Sequence, residues 1–221
     1  MKKIISFSLW GDNPKYTVGA VKNAVLAKTI YPDWKACFFV HNSVSSEIVK
    51  KLDDNGAEVY FFDTKPTWGA SLYRLAPVAD CQVSRVIFRD CDSRLSEREK
   101  LAVDEWEISD LNFHIMRDHP FHGSHPMLAG MFGCKTGFMP DIEDKIRNIL
   151  TGESYHTDQD FISTEIWPLA VKSNLTHDEF FQNIPFPHKR VGLEYVGEPL
   201  DENDMPCHPS HREVLKQYLD K

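Results

Sequence analysis

The most informative stretch for the fold is Val83-Ser84-Arg85-Val86-Ile87-Phe88, and it is followed directly by Arg89-Asp90-Cys91-Asp92-Ser93-Arg94. The first six residues are largely apolar and predict a strand buried in a sheet. Asp90 and Asp92 follow the strand, and in extended backbone two such side chains point the same way, about 6–7 Å apart. Their carboxylates repel each other unless a cation or a hydrogen-bond donor lies between them. Hard oxygen ligands of this kind suit Mg²⁺ or Mn²⁺, so we predict a metal site at this end of the strand.

Segments typical of strands and of helices alternate on the N-terminal side of this stretch. Unbroken apolar runs predict strands there, because the strands of a parallel sheet are buried on both faces. Asn13 and Pro14 are an N-cap and a first-turn proline, and they predict the start of a helix that ends at Tyr31-Pro32-Asp33. A second helix is predicted between Ser45 and Leu52. The predicted strands are Ile4–Leu9, Ala36–Val40 and Val59–Phe62.

The C-terminal half is less regular and richer in histidine, glycine and proline. No repeat, low-complexity segment or linker interrupts the chain, so we expect a single domain over residues 1–221. Alternating strands and helices predict an α/β fold, in which a mostly parallel sheet lies between layers of helices and ligands bind beyond the carboxyl ends of the strands. The further predicted elements are a short helix after the loop Thr64–Ala70, a helix over Ser96–Ile108, a strand over Phe113–Met116, a loop over Arg117–Met127, a small-residue stretch over Ala129–Gly133, and helices near Asp141–Leu150 and Asp158–Ala170.

The composition of the chain excludes two classes of function. Lys and Arg number 25 against 33 Asp and Glu, which gives a formal charge of −8. Nonspecific nucleic-acid binding needs clustered Lys and Arg, so nucleic acid is not expected as a partner. No apolar stretch approaches the ~18–20 residues that a membrane span requires. The five cysteines are widely scattered, which is typical of reduced thiols, and we therefore expect a cytoplasmic protein.

Residues 87–94 resemble the D-x-D element of the GT-A nucleotide-sugar glycosyltransferases. Other segments are similar to those of a compact family of bacterial and viral sugar transferases, and the blocks occur in the expected order over residues 4–180. Asp158-Gln159-Asp160-Phe161 is similar to the D-Q-D element of the retaining GT-A enzymes, and His177-Asp178 resembles the late histidine of their metal site. The segments similar to the compact family are Ser8–Gly11, Tyr16–Trp34, Arg117–Pro120 and Ala129–Gly133.

The resemblance implies a Rossmann-like GT-A fold with a nucleotide-binding half over residues 1–95 and a sugar and acceptor half over residues 96–221. Such enzymes transfer a sugar from a nucleoside-diphosphate donor, a UDP- or GDP-sugar, to a hydroxyl group of a glycan or another acceptor. The resemblance further implies that Asp92 binds Mn²⁺ or Mg²⁺ directly, that Asp90 binds the metal or the ribose, and that His177 completes the metal site. The metal would neutralise the diphosphate as it leaves.

The resemblance also assigns residues to the nucleotide. Leu9, Trp10 and Tyr16 would line the pocket of the base. Arginines are candidates for the diphosphate, because a guanidinium group matches the geometry of a phosphate. The candidates are Arg74, Arg89, Arg94 and Arg117, of which Arg94 adjoins the metal motif.

Residues near the donor sugar follow from the same resemblance. A glycine at position 130 lets the backbone approach a ligand closely, and Asp118, Gly130 and Asp158 would set the choice of sugar. Gln159 would face the anomeric carbon, and Asp160 would supply a carboxylate near the reaction centre. Because glutamine is a poor nucleophile, we expect retention by front-face displacement rather than through a covalent glycosyl-enzyme.

Two other functions stay open at this point. A haloacid-dehalogenase-like phosphatase also carries a D-x-D at a strand end, where the aspartate is the nucleophile. That motif normally follows the first strand, whereas Asp90 follows a later one. A module that binds a nucleotide-sugar without turning it over would carry the same binding residues.

Histidines cluster after residue 110. His119 and His122, next to Asp118, are candidates for contact with the acceptor. Cys207-His208-Pro209-Ser210-His211 has no second cysteine pair nearby, so a structural zinc site is not predicted there.

Overall fold

The computed structural model describes residues 1–64, 67–149, 157–181 and 184–220, and seven strands in this part of the chain form one mixed sheet. The strands are β1 (Lys2–Leu9), β2 (Lys35–His41), β3 (Glu58–Phe62), β4 (Val83–Phe88), β5 (Phe113–Arg117), β6 (Phe132–Lys135) and β7 (Asn174–Asp178). Their order across the sheet is β3-β2-β1-β4-β6-β5-β7. Only β6 runs antiparallel to its neighbours among these strands, and the other pairings are parallel. The predicted mostly parallel α/β sheet is therefore confirmed.

Helices pack on the sheet through two large hydrophobic cores and a smaller one around Met116. The helices are α1 (Pro14–Ile30), α2 (Ser46–Asp54), α3 (Glu97–Ile108), α4 (Ile142–Ile149), α5 (Thr157–Phe161), α6 (Trp167–Ala170) and α7 (Pro209–Leu219), with 3₁₀ helices over Trp68–Ala79 and Pro120–Ser124 and a π-helical turn over Ile162–Ile166. One core joins β1 and β2 to α1, α2 and α3, and it contains Phe7 and Trp106. The other joins β4 and β6 to the first 3₁₀ helix and α4 to α6, and it contains Phe88 and Ile142.

The N-caps that the sequence indicates are present. Asn13, Ser45 and Ser96 precede α1, α2 and α3, and each side chain accepts a hydrogen bond from a backbone N–H in the first turn. Such caps satisfy amide groups that have no partner within the helix. The helix predicted over Asp158–Ala170 is present as α5, the π-helical turn and α6, while Leu150, the predicted end of α4, lies outside the described residues.

Two strands and one α-helix were not predicted, and the loop predicted over Arg117–Met127 contains the 3₁₀ helix Pro120–Ser124. β6 begins inside the small-residue stretch predicted over Ala129–Gly133, because its residues pair with both β4 and β5. β7 has the mostly polar sequence Asn-Leu-Thr-His-Asp, and its strand depends on pairing with β5 rather than on an apolar run. α7 buries only Leu215, so it has almost no apolar periodicity to detect.

The strand order determines where a ligand can bind. The chain proceeds from β1 to β2 and β3 on one side, and then crosses to β4 on the other side of β1. Such a reversal opens a crevice at the carboxyl ends of the two central strands, where open α/β sheets bind their ligands. β4 also pairs with β6, so the two halves predicted over residues 1–95 and 96–221 share one sheet. Among the helices in the described ranges, none has the length and apolar character needed to cross a bilayer.

Candidate active site

A cavity of about 420 Å³ opens at the carboxyl ends of β1 and β4. Its walls come from the end of β1, the 3₁₀ helix Trp68–Ala79, the segment after β4, the loop before β6 and the start of α5. The structure therefore brings together segments that are far apart in the sequence. The predicted site residues that line the cavity are Leu9, Trp10, Tyr16, Arg74, Asp90, Asp92, Gly130, Asp158 and Gln159.

Arg74 links two of the carboxylates in this cavity. Its side chain is 4% exposed, its Nη1 donates a hydrogen bond to Oδ1 of Asp90, and its Nη2 donates to Oδ2 of Asp158 at 2.7 Å. Burial opposes the charge of Arg74, but the charges of Asp90 and Asp158 outweigh burial and raise the pKa of this guanidinium. The end of β4 and the start of α5 are thus held together by one buried cation.

Two serines of β1 hold Arg74 in place. Ser6 and Ser8 lie two residues apart and therefore point to the same face of the strand. Ser6 Oγ donates to the carbonyl of Arg74 at 2.7 Å, and the backbone N–H of Arg74 donates to Ser8 Oγ at 2.9 Å. Ser8 Oγ also donates to the carbonyl of Ser71 at 3.1 Å. The serines that interrupt the apolar run of β1 thus anchor the 3₁₀ helix that carries Arg74.

Asp92 is paired with a lysine that the sequence did not single out. Lys15 Nζ lies 2.7 Å from Oδ2 of Asp92 and 4.9 Å from the centre of the Tyr16 ring. Burial and the charge of Asp90 raise the pKa of Asp92, whereas Lys15 acts in the opposite direction. The second carboxylate of the motif is therefore a buried acid that a nearby cation stabilises.

Gly130 is needed because the carboxylate of Asp90 occupies the space where a side chain would begin. A Cβ atom added at position 130 would overlap the Oδ2 atom of Asp90. Its φ angle is not in the left-handed region, so the requirement is one of space rather than of backbone conformation. The glycine that was predicted to lie against the donor sugar thus lies directly against the predicted metal ligand.

Gln159 holds the loop that carries Gly130. Its Nε2 donates to the carbonyl of Met127 at 2.8 Å, and its Oε1 accepts from the backbone N–H of Ala129 at 3.2 Å. Both ends of the amide are therefore engaged by the loop, and the residue is buried. The sequence shows that residue 159 is a glutamine, but it does not show that the side chain positions this loop.

An aromatic region lies at the other end of the cavity, after β1. Trp10 and Trp68 pack edge to face, with ring centres 6.1 Å apart, and Leu9 and Tyr16 line the same cavity. Edge-to-face pairs of this kind form rigid apolar surfaces. Trp68 was not predicted, although it stands at the start of the 3₁₀ helix that also carries Arg74.

The structure does not bring His177 to the cavity. It lies on β7, which is separated from β4 by β6 and β5. Its Nδ1 is 2.9 Å from Nε2 of His114, and its Nε2 is 2.9 Å from Oε2 of Glu105. Both ring nitrogens of His177 are engaged in a buried cluster, so we correct the prediction and leave this residue out of the metal site.

Three other predicted site residues also lie outside the cavity lining. Asp118 is fully buried and binds Arg98 and Arg190. Arg94 pairs with Asp204, and the side chain of Asp160 is exposed. The partners of Asp118 and Arg94 come from α3 and the C-terminal segment, so we correct these two predictions, while the role of Asp160 stays a prediction.

The remaining arginine candidates are also engaged away from the cavity. Arg89 is buried and pairs with Glu99 at 3.1 Å, and Arg117 pairs with Asp178 at 2.8 Å. Neither lines the cavity, so Arg74 is the arginine that the structure brings there within the described ranges.

The loop between β5 and β6 forms another wall of the cavity. His122, Ser124 and His125 line the cavity here, whereas His119 does not. His119 is buried, and its Nε2 lies 2.8 Å from the carbonyl of His211. Of the two histidines predicted to contact the acceptor, His122 lines the cavity and His119 does not.

The carboxylates of Asp90 and Asp92 fit a divalent cation. Both line the cavity, and their side chains are 48% and 14% exposed. No group of three or more His, Cys, Asp or Glu side chains that could hold a metal occurs within the described residues. Mg²⁺ and Mn²⁺ need only one or two protein carboxylates when phosphate oxygens of a substrate and water complete their coordination. The pair thus suits a cation that binds together with its substrate.

No protein-family model matches the chain, and no curated protein matches it in sequence. Solved structures do match in fold. Glucosyl-3-phosphoglycerate synthase from Mycobacterium tuberculosis in complex with Mg²⁺ and uridine diphosphate has a TM-score of 0.51 and 12% identity, over 87% of this chain and 73% of that one. The same enzyme with Mn²⁺, UDP-glucose and glycerol 3-phosphate has a TM-score of 0.50 and 11% identity, over the same shares. These matches confirm the predicted GT-A fold class.

Proposed function

We propose that this chain is a metal-dependent glycosyltransferase that moves a sugar from a nucleoside-diphosphate sugar to an acceptor hydroxyl group. The observation that carries the proposal is the convergence of Asp90, Asp92 and Asp158 in one cavity at the crevice between β1 and β4. Three acids around one cavity suit a divalent cation and a substrate that brings its own negative charge. The fold shared with glucosyl-3-phosphoglycerate synthase supports the same function.

Asp90 and Asp92 would hold the cation, Mn²⁺ or Mg²⁺, which would supply positive charge to the departing diphosphate. Arg74 keeps Asp90 oriented toward the cavity, and Gly130 leaves the space that this carboxylate needs. Lys15, whose Nζ lies 2.7 Å from Oδ2 of Asp92, would supply a second positive charge near the diphosphate.

The nucleoside would lie at the aromatic region formed by Leu9, Trp10, Tyr16 and Trp68. These flat apolar side chains are suited to a base, and the crevice after β1 is where open α/β sheets bind nucleotides. The neighbouring fold is solved with uridine diphosphate, which favours a UDP-sugar over a GDP-sugar.

The donor sugar would lie between Gly130 and Asp158, where Asp158 can accept hydrogen bonds from its hydroxyl groups. Gln159 is held by the loop at both ends of its amide, so no side chain at that position is free to attack the anomeric carbon. We therefore propose retention by front-face displacement. The acceptor oxygen bonds to the anomeric carbon, the bond to the diphosphate oxygen breaks on the same face, and the hydroxyl proton passes to that oxygen.

The biological role that fits this chemistry is hexosyl transfer in glycan or polysaccharide synthesis. All five cysteines are unpaired, which suits a reducing compartment, and we propose the cytoplasm.

A thermal-shift screen of nucleotide-sugars with Mn²⁺ tests the function. A donor at 100 times its Kd should stabilise the fold by about 2.7 kcal/mol, and the stabilisation should need the metal. Mass spectrometry of the products with the stabilising donor then separates a transferase from a module that only binds. Stabilisation by no nucleotide-sugar would contradict the proposal, and an aspartyl-phosphate adduct on Asp90 would favour the phosphatase alternative.

A further inference from the structure

One part of the cavity is lined by residues to which the proposed function gives no role. We call the residues His122, Ser124, His125, Leu128 and Pro199, which line it there, the acceptor wall. All of these residues except Pro199 follow β5, whereas Leu9 and Trp10 of the aromatic region lie at the end of β1, and β4 and β6 lie between β1 and β5 in the sheet. A donor with its base in the aromatic region would thus present its sugar toward the acceptor wall.

The acceptor wall offers no unpaired positive charge. Arg74 is the only lysine or arginine that lines the cavity among the described residues, and it is paired with Asp90 and Asp158. The ranges outside the description that adjoin α5 and β7, 150–156 and 182–183, contain neither lysine nor arginine in their sequence. The remaining internal range outside the description, 65–66, contains one lysine, Lys65. In the sequence it stands three positions before Trp68 of the aromatic region.

The cations behind the acceptor wall are neutralised by carboxylates. Arg190 lies 2.6 Å from Oδ1 of Asp118, and Arg98 pairs with both Asp118 and Glu179. These charges are therefore committed to holding the C-terminal segment against the loop after β5. None of them is available to meet a negatively charged acceptor.

His122 is a neutral hydrogen-bonding group rather than a cation. Its Nδ1 accepts a hydrogen bond from the backbone N–H of Asp118 at 3.1 Å, which leaves the ring proton on Nε2. Burial and the neighbouring rings of His119 and His211 lower the pKa of His122 to about 3. An N–H donor of this kind suits the oxygen of a hydroxyl group.

Exposed aromatic side chains adjoin the acceptor wall. The ring of Phe181 is 47% exposed and packs against Gly123, where an added Cβ would lie 2.5 Å from its Cζ atom. Phe121 is 51% exposed and directly precedes His122. The C–H faces of a sugar ring are apolar and can pack on exposed aromatic side chains of this kind.

We infer that the acceptor is an uncharged saccharide rather than a phosphate ester. The inference rests on the proposed function and specifies its second substrate. A phosphate group at the acceptor wall would share the cavity with Asp90, Asp92 and Asp158, with no unpaired lysine or arginine of the described cavity lining to meet it. Neutral hydroxyl groups meet no such repulsion, and the wall offers His122, Ser124 and His125 as hydrogen-bonding partners.

Ligand-detected NMR tests this inference without requiring turnover. The full chain, with saturating Mg²⁺ and uridine diphosphate to fill the donor side, is mixed with methyl glucoside and glucose 6-phosphate, and then with glycerol and glycerol 3-phosphate. We expect each neutral compound to show saturation transfer at least about fivefold stronger than its phosphate ester. If uridine diphosphate itself does not bind, the proposed function fails, whereas an acceptor preference for the esters overturns only the inference.

A substitution at the exposed Ser124 provides a second measurement. Ser124→Arg adds a guanidinium group to the acceptor wall and should tighten the binding of glucose 6-phosphate about tenfold, because charge-assisted contacts to phosphate are strong. Ser124→Gln is the matched control, since it adds a long neutral side chain, and it should not tighten this binding. Phosphate esters that bind the unmodified protein more tightly than their parent compounds, or a Ser124→Arg variant that gains no affinity for them, would overturn the inference.

Discussion

The Nη2 atom of Arg74 donates a hydrogen bond to the Oδ2 atom of Asp158 at 2.7 Å. The same guanidinium donates from Nη1 to Asp90. The two acids are 68 positions apart in the sequence, 158 − 90, and one buried side chain fixes both. The geometry of the candidate site therefore depends on a residue that belongs to neither motif.

Replacement of Arg74 should damage both activity and stability. In Arg74→Ala the two carboxylates lose their shared cation, and we expect kcat/KM for the donor to fall about 100-fold. The free energy of unfolding should fall by about 3 kcal/mol, because acids in a partly buried site are left unpaired. Denaturant melts and steady-state kinetics measure the two effects. Arg74→Lys is the matched control: it keeps the charge, can reach one acid only, and should lie between wild type and Arg74→Ala.

Gly130→Ala should weaken metal binding while the fold stays intact. The added Cβ displaces the carboxylate of Asp90, and disturbing the surroundings of a metal ligand costs about 10- to 100-fold in affinity. Titration with Mn²⁺, followed by electron paramagnetic resonance, measures the loss, and circular dichroism checks the fold. An alanine variant that binds Mn²⁺ as tightly as the wild type would show that Asp90 is not a ligand.

Gln159 should act through the loop over 127–130 rather than as a nucleophile. Gln159→Ala leaves a buried carbonyl and a buried N–H without partners and should cost about 2 kcal/mol of stability. Gln159→Glu keeps the acceptor for Ala129 but places a carboxylate against the carbonyl of Met127, so it should lower activity. Mass spectrometry of the intact protein after reaction with donor should detect no glycosyl adduct on either the wild type or Gln159→Glu. An adduct, together with increased activity in Gln159→Glu, would favour double displacement.

The neutral state of His122 predicts a loss of stability in acid. Its folded-state pKa of about 3 lies below the unfolded value of about 6.5, so the unfolded chain takes up the proton first. The contribution to stability is present above pH 6.5 and is lost as pH falls toward 3. Between pH 7 and 5 this loss should be about 2 kcal/mol, and His122→Gln should remove it. Urea melts at both pH values measure the difference, and equal pH dependence in the two proteins would contradict the assignment.

Much of the fold could be predicted because apolar runs and caps are local signals. β1 to β5 follow from such runs, and Asn13, Ser45 and Ser96 mark the starts of the first three α-helices. β7 and α7 could not be predicted, because one is stabilised by pairing with β5 and the other buries a single side chain. Neither leaves an apolar period in the sequence.

The sequence indicated the chemical type of the candidate site, but it indicated less well which residues form the site. The spacing of Asp90 and Asp92 indicates two carboxylates on one side of a strand end, and both line the cavity. His177 was assigned to the metal site by the resemblance, but sequence order does not reveal that β7, which carries it, lies at the edge of the sheet. Lys15 gave no signal at all, since its role depends on the packing of α1 beside the D-x-D segment.

The dependence of donor turnover on a divalent cation tests the central claim most directly. Protein freed of metal by a chelator should not turn over its preferred nucleotide-sugar, and Mn²⁺ should restore the activity. Asp92→Asn should lower the restored activity by at least about 100-fold. His177→Gln, which changes a buried residue away from the cavity, should respond to Mn²⁺ at the same concentrations as the wild type. Full turnover in the presence of chelator, or wild-type activity in Asp92→Asn, would contradict the account.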